Sequence, residues 1–341
     1  MTTAIDQDRV NALHEQSIIV NGCAPTRATL PLALDKYSEG GVTATNLTAA
    51  NNESFAEAVK WFGRCLTEIV AHPGETRVAR SVNDIRSAKA QGATTIIMGT
   101  QNGDPIEDDI HNLDVFYQLA LRIFQITYQR KNRLGDGCGE ATDGGLSIFG
   151  RQVVERLNEL GILIDLSHVG HRTTMEVMEF SSYPVSFTHA NLYSINPLSR
   201  NKTDDQIKAL AERDGVMGIT AVSRLMTAKG KMNGTILSEF LDQIDYVADL
   251  VGAKHVGIGL DIYEGMTEEG FLERRRTFLA RFPELGGEFP FEHYYNRDVG
   301  SAAKLKNVTA GLVERGYDDS EIRGILGENF LRLFEQVWRT E

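Results

Sequence analysis

Short apolar stretches recur along the chain, and most are apolar through their middle rather than alternating with polar residues. Strands that are buried on both faces of a parallel sheet have this pattern. The pattern therefore predicts eight strands, which are placed at Ser17–Asn21, Val42–Leu47, Thr94–Thr100, Ile123–Thr127, Ile162–Ser167, Pro184–Thr188, Val216–Thr220 and His255–Asp261.

Segments with apolar residues at helical spacing lie between these stretches. Phe240, Ile244 and Val247, for example, fall on one face of a helix. Thr203 precedes a first turn rich in acidic residues and is expected to cap the helix that follows it. Helices are predicted at Asn52–His72, Asp114–Leu121, Ile148–Leu160, Asp204–Arg213 and Leu237–Val251.

The repeated alternation of strand and helix predicts a (β/α)8 TIM-type barrel, in one domain over residues 1–341. A doubly wound open sheet is the alternative, and the lack of a GxGxxG motif after the first strand disfavours it. A Gly- and Asp-rich loop at 129–145 and an insertion at 263–296, after the eighth strand, are expected at the C-terminal face of the barrel, where active sites are built. A C-terminal helix at 318–338 is expected to close the barrel.

The composition restricts the class of protein. The chain has 341 residues, 42% of them hydrophobic and 24% charged, which is typical of a globular protein with a large core. Its net charge is -12 and it has no basic run, which argues against nucleic-acid binding. It has neither a long apolar stretch nor a secretory signal pattern, so neither a membrane span nor export is expected. Cys23, Cys65 and Cys138 form no CxxC pair, which favours a reducing cytoplasm.

Polar side chains stand at the ends of three predicted strands. His168 ends the fifth strand, His189 the sixth and Asp261 the eighth. The carboxyl ends of barrel strands meet at one mouth, so these side chains are expected to converge. Two imidazoles and a carboxylate suit a zinc-like ion, which lowers the pKa of bound water, and Asp261 is the candidate general base.

Several stretches together resemble the membrane (renal) dipeptidase family of metallopeptidases. The similarity runs from about Gly92 to Trp338 and rests on IDLSHVG, FTHAN, SRNKTDDQIKAL, HVGIGLD and GENFLRLFEQVW, with GLSIFGRQVVERLNELGILIDLSHVG as its longest part. The resemblance implies a (β/α)8 barrel and a two-zinc site that hydrolyses dipeptides and related amides. It also implies a homodimer.

The resemblance assigns roles to five residues. His168 and His189 correspond to the histidines that bind one of the two zincs. Asp261 corresponds to the proposed general base. Arg200, with Asn201 beside it, corresponds to the arginine that binds a substrate carboxylate.

Four positions depart from the family pattern. Cys23 and Pro25 replace a His-x-Asp metal pair, Gln101 replaces the glutamate that bridges the two zincs, and Tyr128 replaces a histidine that contacts substrate. Proline offers no side-chain donor, and a neutral amide is a poor bridge between two dications. These changes favour one divalent ion, zinc, held by His168 and His189, with Gln101 or Cys23 completing the set.

The leading hypothesis is a metal-dependent hydrolase of a small amide or dipeptide-like substrate that carries a carboxylate. Arg200 and Asn201 would bind the carboxylate and Asp261 would move the proton. A lyase or decarboxylase acting on a small carboxylate is the second enzyme class, with Tyr128 as acid or oxyanion donor. A catalytically inactive ligand-binding homologue is the third possibility.

Overall fold

The chain folds around a nine-stranded parallel sheet. The structure is a computed structural model, and it describes residues 6–227, 234–283 and 290–339. The strands are β1 (Ile19–Ala24), β2 (Val42–Ala50), β3 (Thr76–Val78), β4 (Thr94–Thr100), β5 (Leu121–Gln125), β6 (Leu163–Asp165), β7 (Ser186–Ala190), β8 (Val216–Ile219) and β9 (Val256–Ile258).

Eight of these strands close into a barrel. β1 pairs with β2, β2 with β4, and the order then runs through β5, β6, β7 and β8 to β9. β9 returns to β1, where Asn21 lies opposite Ile258. All of these pairings are parallel, which confirms the predicted (β/α)8 barrel. The sequence pattern missed β3, a strand of three residues that pairs with the start of β4.

Helices surround the barrel. In the described residues they are α1 (Gln7–Gln16), α2 (Leu30–Glu39), α3 (Phe55–Ala71), α4 (Val82–Gln91), α5 (Asn112–Gln118), α6 (Ile148–Leu160), α7 (His171–Phe180), α8 (Asp204–Glu212), α9 (Ser223–Met226), α10 (Leu237–Val251), α11 (Glu268–Arg281), α12 (Phe291–Tyr294), α13 (Leu305–Glu314), α14 (Asp319–Arg323) and α15 (Asn329–Val337). No helix in this part of the chain is long and apolar enough to cross a bilayer.

Local sequence signals explain several helix boundaries. The Ser54 hydroxyl oxygen accepts a hydrogen bond from the backbone N–H of Glu57, and the Glu57 carboxylate accepts one from the backbone N–H of Ser54, so α3 begins with a capping box. Thr203 is the N-cap of α8, as expected, and its backbone N–H and hydroxyl both donate to the side-chain oxygen of Gln206. α6 ends at Gly161, which has a φ of 69° that glycine adopts without steric cost.

Two predicted boundaries are wrong. The helix predicted at 114–121 ends at Gln118, and Leu121 already belongs to β5. Ala120, at a φ of 68°, makes a tight turn between the two elements that hydrophobic spacing does not reveal. The single C-terminal helix predicted at 318–338 is divided into α14 and α15 by a wide turn at Gly324–Glu328.

α15 seals the N-terminal end of the barrel. Phe330 and Phe334 belong to a buried apolar cluster with Val20, Ile97 and Ile123, and we call these five residues the barrel floor. A Cβ atom at Gly257 would lie 2.5 Å from the Phe330 ring, so only glycine permits this approach. The C-terminal segment therefore closes the barrel, as predicted, but it does so from below.

The opposite end of the barrel carries the long loops. The 129–145 loop follows β5 and packs on the mouth through the hydrogen bond from Cys138 N to His168 O, 2.9 Å long. The insertion predicted at 263–296 supplies α11 and α12, while residues 284–289 of that prediction lie outside the described residues. Both segments thus lie at the C-terminal face.

Candidate active site

The C-terminal ends of four strands bring the predicted residues together. Cys23 lies in β1 and His189 in β7, while His168 and Asp261 follow β6 and β9 by three residues each. The Nε2 atoms of His168 and His189 are 3.0 Å apart. The donor atoms of Cys23, His189 and Asp261 all lie within 4.8 Å of one another. The predicted convergence at the barrel mouth is thus present in the structure.

A buried carboxylate fixes the orientation of His189. Asp165 accepts hydrogen bonds from the backbone N–H groups and the hydroxyls of Ser167 and Thr188. The Thr188 hydroxyl gives its one proton to Asp165, at 2.6 Å, so its oxygen accepts from His189 Nδ1, at 2.8 Å. This places the ring proton on Nδ1 and leaves the Nε2 lone pair facing His168.

Both imidazoles are neutral at ordinary pH. Burial lowers the pKa of His168 and of His189 well below the usual value, and the charge of Arg200 lowers both further. Nδ1 of His168 is buried without a hydrogen-bond partner among the described residues. Neutral nitrogen lone pairs in a dry pocket are the donors that zinc prefers.

Cys23 and Gln101 lie beside this pair. The Cys23 thiol donates to Asp261 Oδ1, with a separation of 3.5 Å, and its sulfur accepts from Gln101 Nε2 at 2.9 Å. Burial, and then the charge of Asp261, raise the pKa of the thiol well above its ordinary value. A cation next to the sulfur would reverse this effect, since a coordinated thiol loses its proton. The amide nitrogen of Gln101, rather than its oxygen, faces Cys23.

Asp261 combines an unusual backbone with a raised pKa. Its φ of 56° is in the left-handed region, which aspartate tolerates better than most residues. Its backbone N–H donates to Cys23 O at 3.1 Å, which fixes the turn beside β1. Burial raises the pKa of its carboxyl to about 6, against the opposing charge of Arg200. A carboxylate with this pKa can take up and release a proton near neutral pH.

Tyr128 covers His168 from one side. The two rings are 4.3 Å apart between centroids and are tilted by 31°. Burial raises the pKa of the Tyr128 phenol well above its ordinary value, so the hydroxyl keeps its proton and can donate it in a hydrogen bond. Phe282 packs on the same tyrosine, with 5.8 Å between ring centroids.

Arg200 and Asn201 occupy different environments. Arg200 lines the cavity above the imidazoles, and its Nη1 and Nη2 donate to Ser167 O and His189 O at 2.7 and 2.6 Å. Asn201 does not line this cavity. Its amide nitrogen donates to backbone carbonyls of Leu192, Asn196 and Leu225 at 3.3, 2.9 and 2.8 Å. In the structure Asn201 stabilises the loop that carries Arg200.

A cavity of about 80 Å³ opens above these residues. Gln101, Tyr128, His168, Arg200 and Asp261 form part of its wall. Most of the other lining residues, which the sequence did not identify, come from the loop after β8 and from the insertion. The run of arginines at 274–276 could have predicted positive charge at the cavity, because the insertion that contains it was expected at the barrel mouth. The additional lining residues include Arg224, Tyr263, Phe271, Arg274, Arg275 and Tyr294.

The fold and the histidine pair agree with a family assignment. A model of the family described as "Membrane dipeptidase (Peptidase family M19)" matches residues 64–273. The chain therefore belongs to the membrane dipeptidase family, peptidase family M19. This confirms the predicted family and, with it, the prediction of a dipeptidase-like metallohydrolase.

Solved and curated proteins extend this assignment. An amidohydrolase from Pseudomonas aeruginosa is 32% identical, with a TM-score of 0.86, and the match covers 96% of this chain and 99% of that one. A metallopeptidase from Rhodobacter sphaeroides, liganded with a phosphinate mimic of L-Ala-D-Ala, shares the fold at 21% identity and a TM-score of 0.78, over 95% and 100% of the two chains. An uncharacterized Klebsiella pneumoniae protein encoded in the pqqA 5' region is 24% identical over 282 residues, 80% of this chain and 94% of its own length.

Proposed function

We propose that the chain is a metal-dependent hydrolase that cleaves the C–N bond of a small amide, a dipeptide or acyl amino acid bearing a free carboxylate, with one divalent ion per chain. The observation that carries the proposal is the pair of neutral imidazoles in the barrel mouth, with the Nε2 atoms of His168 and His189 3.0 Å apart. Cys23 and Asp261 add sulfur and oxygen donors on one side of His189.

The donor set supports zinc as the ion. Imidazole nitrogen, thiolate sulfur and carboxylate oxygen are its usual ligands in proteins. His168 and His189 would hold the ion, and Cys23 would complete the set once its thiol proton is lost. Gln101 is the further candidate, through its amide oxygen. A divalent ion at this position supplies Lewis-acid polarisation of a carbonyl and a lowered pKa for water.

The replaced positions support one ion rather than two. Pro25 has no side-chain donor, and Gln101 carries no charge where the family has a bridging glutamate. Gln101 donates its amide N–H to Cys23, at 2.9 Å, so the two replacements satisfy each other. At the place of the family's second zinc, this chain therefore has a neutral hydrogen bond where the family has a charged bridging glutamate.

Asp261, Arg200 and Tyr128 have separate roles in the proposed hydrolysis. Asp261, whose pKa is about 6, takes the proton from the attacking water and delivers it to the departing amine nitrogen. Arg200 places a positive charge beside the substrate carboxylate, with its guanidinium fixed by Ser167 O and His189 O. Tyr128 donates a hydrogen bond from its protonated phenol to oxygen at the reacting carbon.

The test is metal-dependent release of a free amine. The full chain, stripped of metal and reloaded with one equivalent of zinc, is assayed on Ala-Ala with either configuration at the second residue, and on N-acetylalanine. Each substrate is compared with its C-terminal carboxamide. We expect hydrolysis that requires zinc and falls at least about tenfold when the carboxylate is capped. The absence of amine release from every amide by the fully loaded chain would refute the proposal.

The proposed chemistry calls for a small substrate that carries a carboxylate. The homodimer and the cytoplasmic location expected from the sequence stay predictions. Light scattering of the purified chain decides the first, and cell fractionation decides the second.

A further inference from the structure

The two histidines of the site are held in different ways. The His189 ring has a hydrogen-bond partner in the Thr188 hydroxyl, at 2.8 Å, and Asp165 fixes that hydroxyl in turn. The Nδ1 atom of His168 is buried without such a partner among the described residues. A histidine that binds a metal ion usually donates the N–H of its other ring nitrogen to a fixed acceptor. Other contacts must therefore set the direction of the His168 ring, and the Tyr128 ring that covers it is one of them.

Lys202 contacts the backbone on both sides of His168. Its Nζ atom donates to Leu166 O at 2.8 Å and to Val169 O at 3.3 Å. Residues 166–169, which we call the His168 turn, follow β6 directly and precede α7. A side chain that binds the first and the last carbonyl group of this turn fixes the backbone from which the His168 ring projects.

The backbone of Lys202 is itself held by the segment that follows His189. Its N–H donates to Asn191 O at 2.8 Å, and its carbonyl accepts from the N–H of Tyr193 at 2.9 Å. Asn191 comes directly after β7, which carries His189. Lys202 therefore connects the strand end that carries one histidine with the turn that carries the other, whose Nε2 atoms are 3.0 Å apart.

Burial of this lysine is costly, which favours a specific role for it. Lys202 is 1% exposed, and its Nζ atom lies 4.7 Å from the centroid of the Phe187 ring. An ammonium group in such surroundings is stable only when its donors are paired. Burial lowers the pKa of Lys202 to about 7. The amine has at least two N–H donors in either protonation state, so both carbonyl contacts persist near neutral pH.

We infer that Lys202 is a positioning residue of the metal site, which directs the His168 imidazole toward the ion by holding the His168 turn. The inference rests on the proposed function for the presence of the ion. Lys202 is not among the described residues that line the cavity, so it acts on the site through the backbone. Its contacts replace, for His168, the hydrogen bond that orients the ring of His189.

The zinc affinity of the folded chain is the first test. Lys202→Met keeps the length of the side chain and removes its donors and its charge. Competition with a chromophoric chelator measures the dissociation constant of zinc from the full chain. Loss of a group that orients a metal ligand costs about 10- to 100-fold in metal affinity, and we expect Lys202→Met to weaken zinc binding in that range. Lys202→Gln keeps N–H donors and should give an intermediate affinity.

Asn329→Leu is the matched control. The Asn329 amide also donates to two backbone carbonyls, Ala253 O at 2.8 Å and Val256 O at 2.7 Å, but it does so at the opposite end of the barrel. Its loss destabilises the fold without contact with the site, so zinc affinity should stay within about twofold of the parent. A Lys202 variant that binds zinc as tightly as Asn329→Leu does would overturn the inference. Lys202→Gln decides this if Lys202→Met does not fold.

Hydrogen exchange gives a second test that needs no metal. The backbone N–H of Cys138 donates to His168 O at 2.9 Å, so the exchange rate of this amide reports whether the His168 turn is ordered. In the zinc-free chain we expect Lys202→Met to raise this rate at least about tenfold, whereas Asn329→Leu should leave it unchanged. Equal rates in the parent and in Lys202→Met would show that the turn is ordered without the lysine and would overturn the inference.

The two measurements separate this inference from the proposed function. A zinc affinity that depends on Lys202, in a chain that cleaves no amide, would refute the hydrolase and leave the positioning role intact. Amide cleavage by the parent chain, with an unchanged zinc affinity in Lys202→Met, would refute the positioning role and leave the hydrolase intact. A parent chain that binds no zinc would refute the proposed function, and exchange of the Cys138 amide would then decide whether Lys202 holds the His168 turn.

Discussion

The Nε2 atoms of His168 and His189 face each other across 3.0 Å in the barrel mouth. The Thr188 hydroxyl, held by Asp165, directs the His189 ring, and the Tyr128 ring covers the His168 ring. Two neutral nitrogen donors at this separation can accept one shared proton or one cation. The predictions below separate these possibilities and test the elements that hold the pair in place.

Removing either imidazole should remove the metal. We expect the chain, purified without a polyhistidine tag and dialysed against trace zinc, to contain about one equivalent per chain by elemental analysis. His168→Ala and His189→Ala each remove a ligand and should contain less than about a tenth of that amount. His171→Ala is the control, because His171 lies on the outer face of α7 and pairs with Asp205 at 2.8 Å. Two equivalents in the parent chain would show that the Cys23 and Gln101 half also holds an ion.

Cys23 should contribute a thiolate to the bound ion. Substitution of cobalt(II) for zinc is expected to give a sulfur-to-cobalt charge-transfer band in the near ultraviolet. Cys23→Ser should lose this band, whereas Cys65→Ser, in the buried face of α3, should keep it. An unchanged spectrum in Cys23→Ser would mean that the thiol is a neighbour of the ion and not a ligand.

Asp261→Asn should impair turnover while the metal stays bound. Asparagine tolerates the φ of 56° found here, so the substitution removes the charge without straining the turn. Loss of a general base typically costs about 10²- to 10⁴-fold, and we expect kcat to fall in that range with KM changed by less than about threefold. Zinc content is measured on the same samples. A parallel loss of zinc would identify Asp261 as a ligand in place of a base.

His14 should make the fold sensitive to acid. Burial lowers its pKa from 6.5 to about 4, in a contact of 2.8 Å with the Thr309 hydroxyl. Between these two pKa values the unfolded chain binds a proton at His14 and the folded chain does not. The contribution of His14 to the free energy of unfolding is therefore fully present above about pH 6.5 and is lost as the pH falls toward 4. His14→Gln cannot take up this proton. The free energy of unfolding of the parent chain should fall by about 2 kcal/mol more than that of the variant between pH 7.5 and 5.

That measurement needs urea unfolding curves for both proteins at the two pH values. Taking the difference of differences removes the contribution of every other titrating group that the two chains share. An identical pH dependence in the two proteins would show that His14 is protonated equally in both states.

The barrel floor should be the most sensitive part of the core. Phe330 is fully buried, and its ring occupies the space that a side chain at Gly257 would fill. Phe330→Ala removes that contact and leaves a cavity, so the free energy of unfolding should fall by about 3–5 kcal/mol. Ile148→Ala, at a residue that is 83% exposed, should change it by less than about 0.5 kcal/mol. Guanidinium unfolding of the three proteins measures both values.

The fold and the central pair of histidines could be predicted from the sequence. Strands buried on both faces are continuous apolar runs, and such runs located all eight barrel strands to within a few residues. Because the carboxyl ends of the strands share one rim of a barrel, the positions of His168 and His189 at strand ends predict that their side chains meet. The sequence signal was a polar side chain at the end of an apolar strand.

The rest depends on contacts between distant parts of the chain. Arg224 and Arg275 line one cavity although they come from α9 and α11, which are far apart in the sequence, and no local pattern predicts that they meet. β3 has three residues, too few for any periodicity. The turn that divides α14 from α15 contains Gly327, where a Cβ would lie 2.3 Å from Ile18 O, a constraint set by the residue before β1, near the other end of the sequence.

Phe330 follows all nine strands of the described sheet in the sequence, and this order has a consequence for biosynthesis. A ribosome releases β1 to β9 before it releases the aromatic side chains that seal their lower rim. Until then the apolar side chains at the N-terminal end of the nascent barrel are exposed to water. Chaperones bind exposed apolar surface of this kind. The last helix, α15, therefore closes the barrel at the end of synthesis. A nascent chain whose synthesis stalled just before residue 330 would leave the barrel open at this end and prone to aggregation.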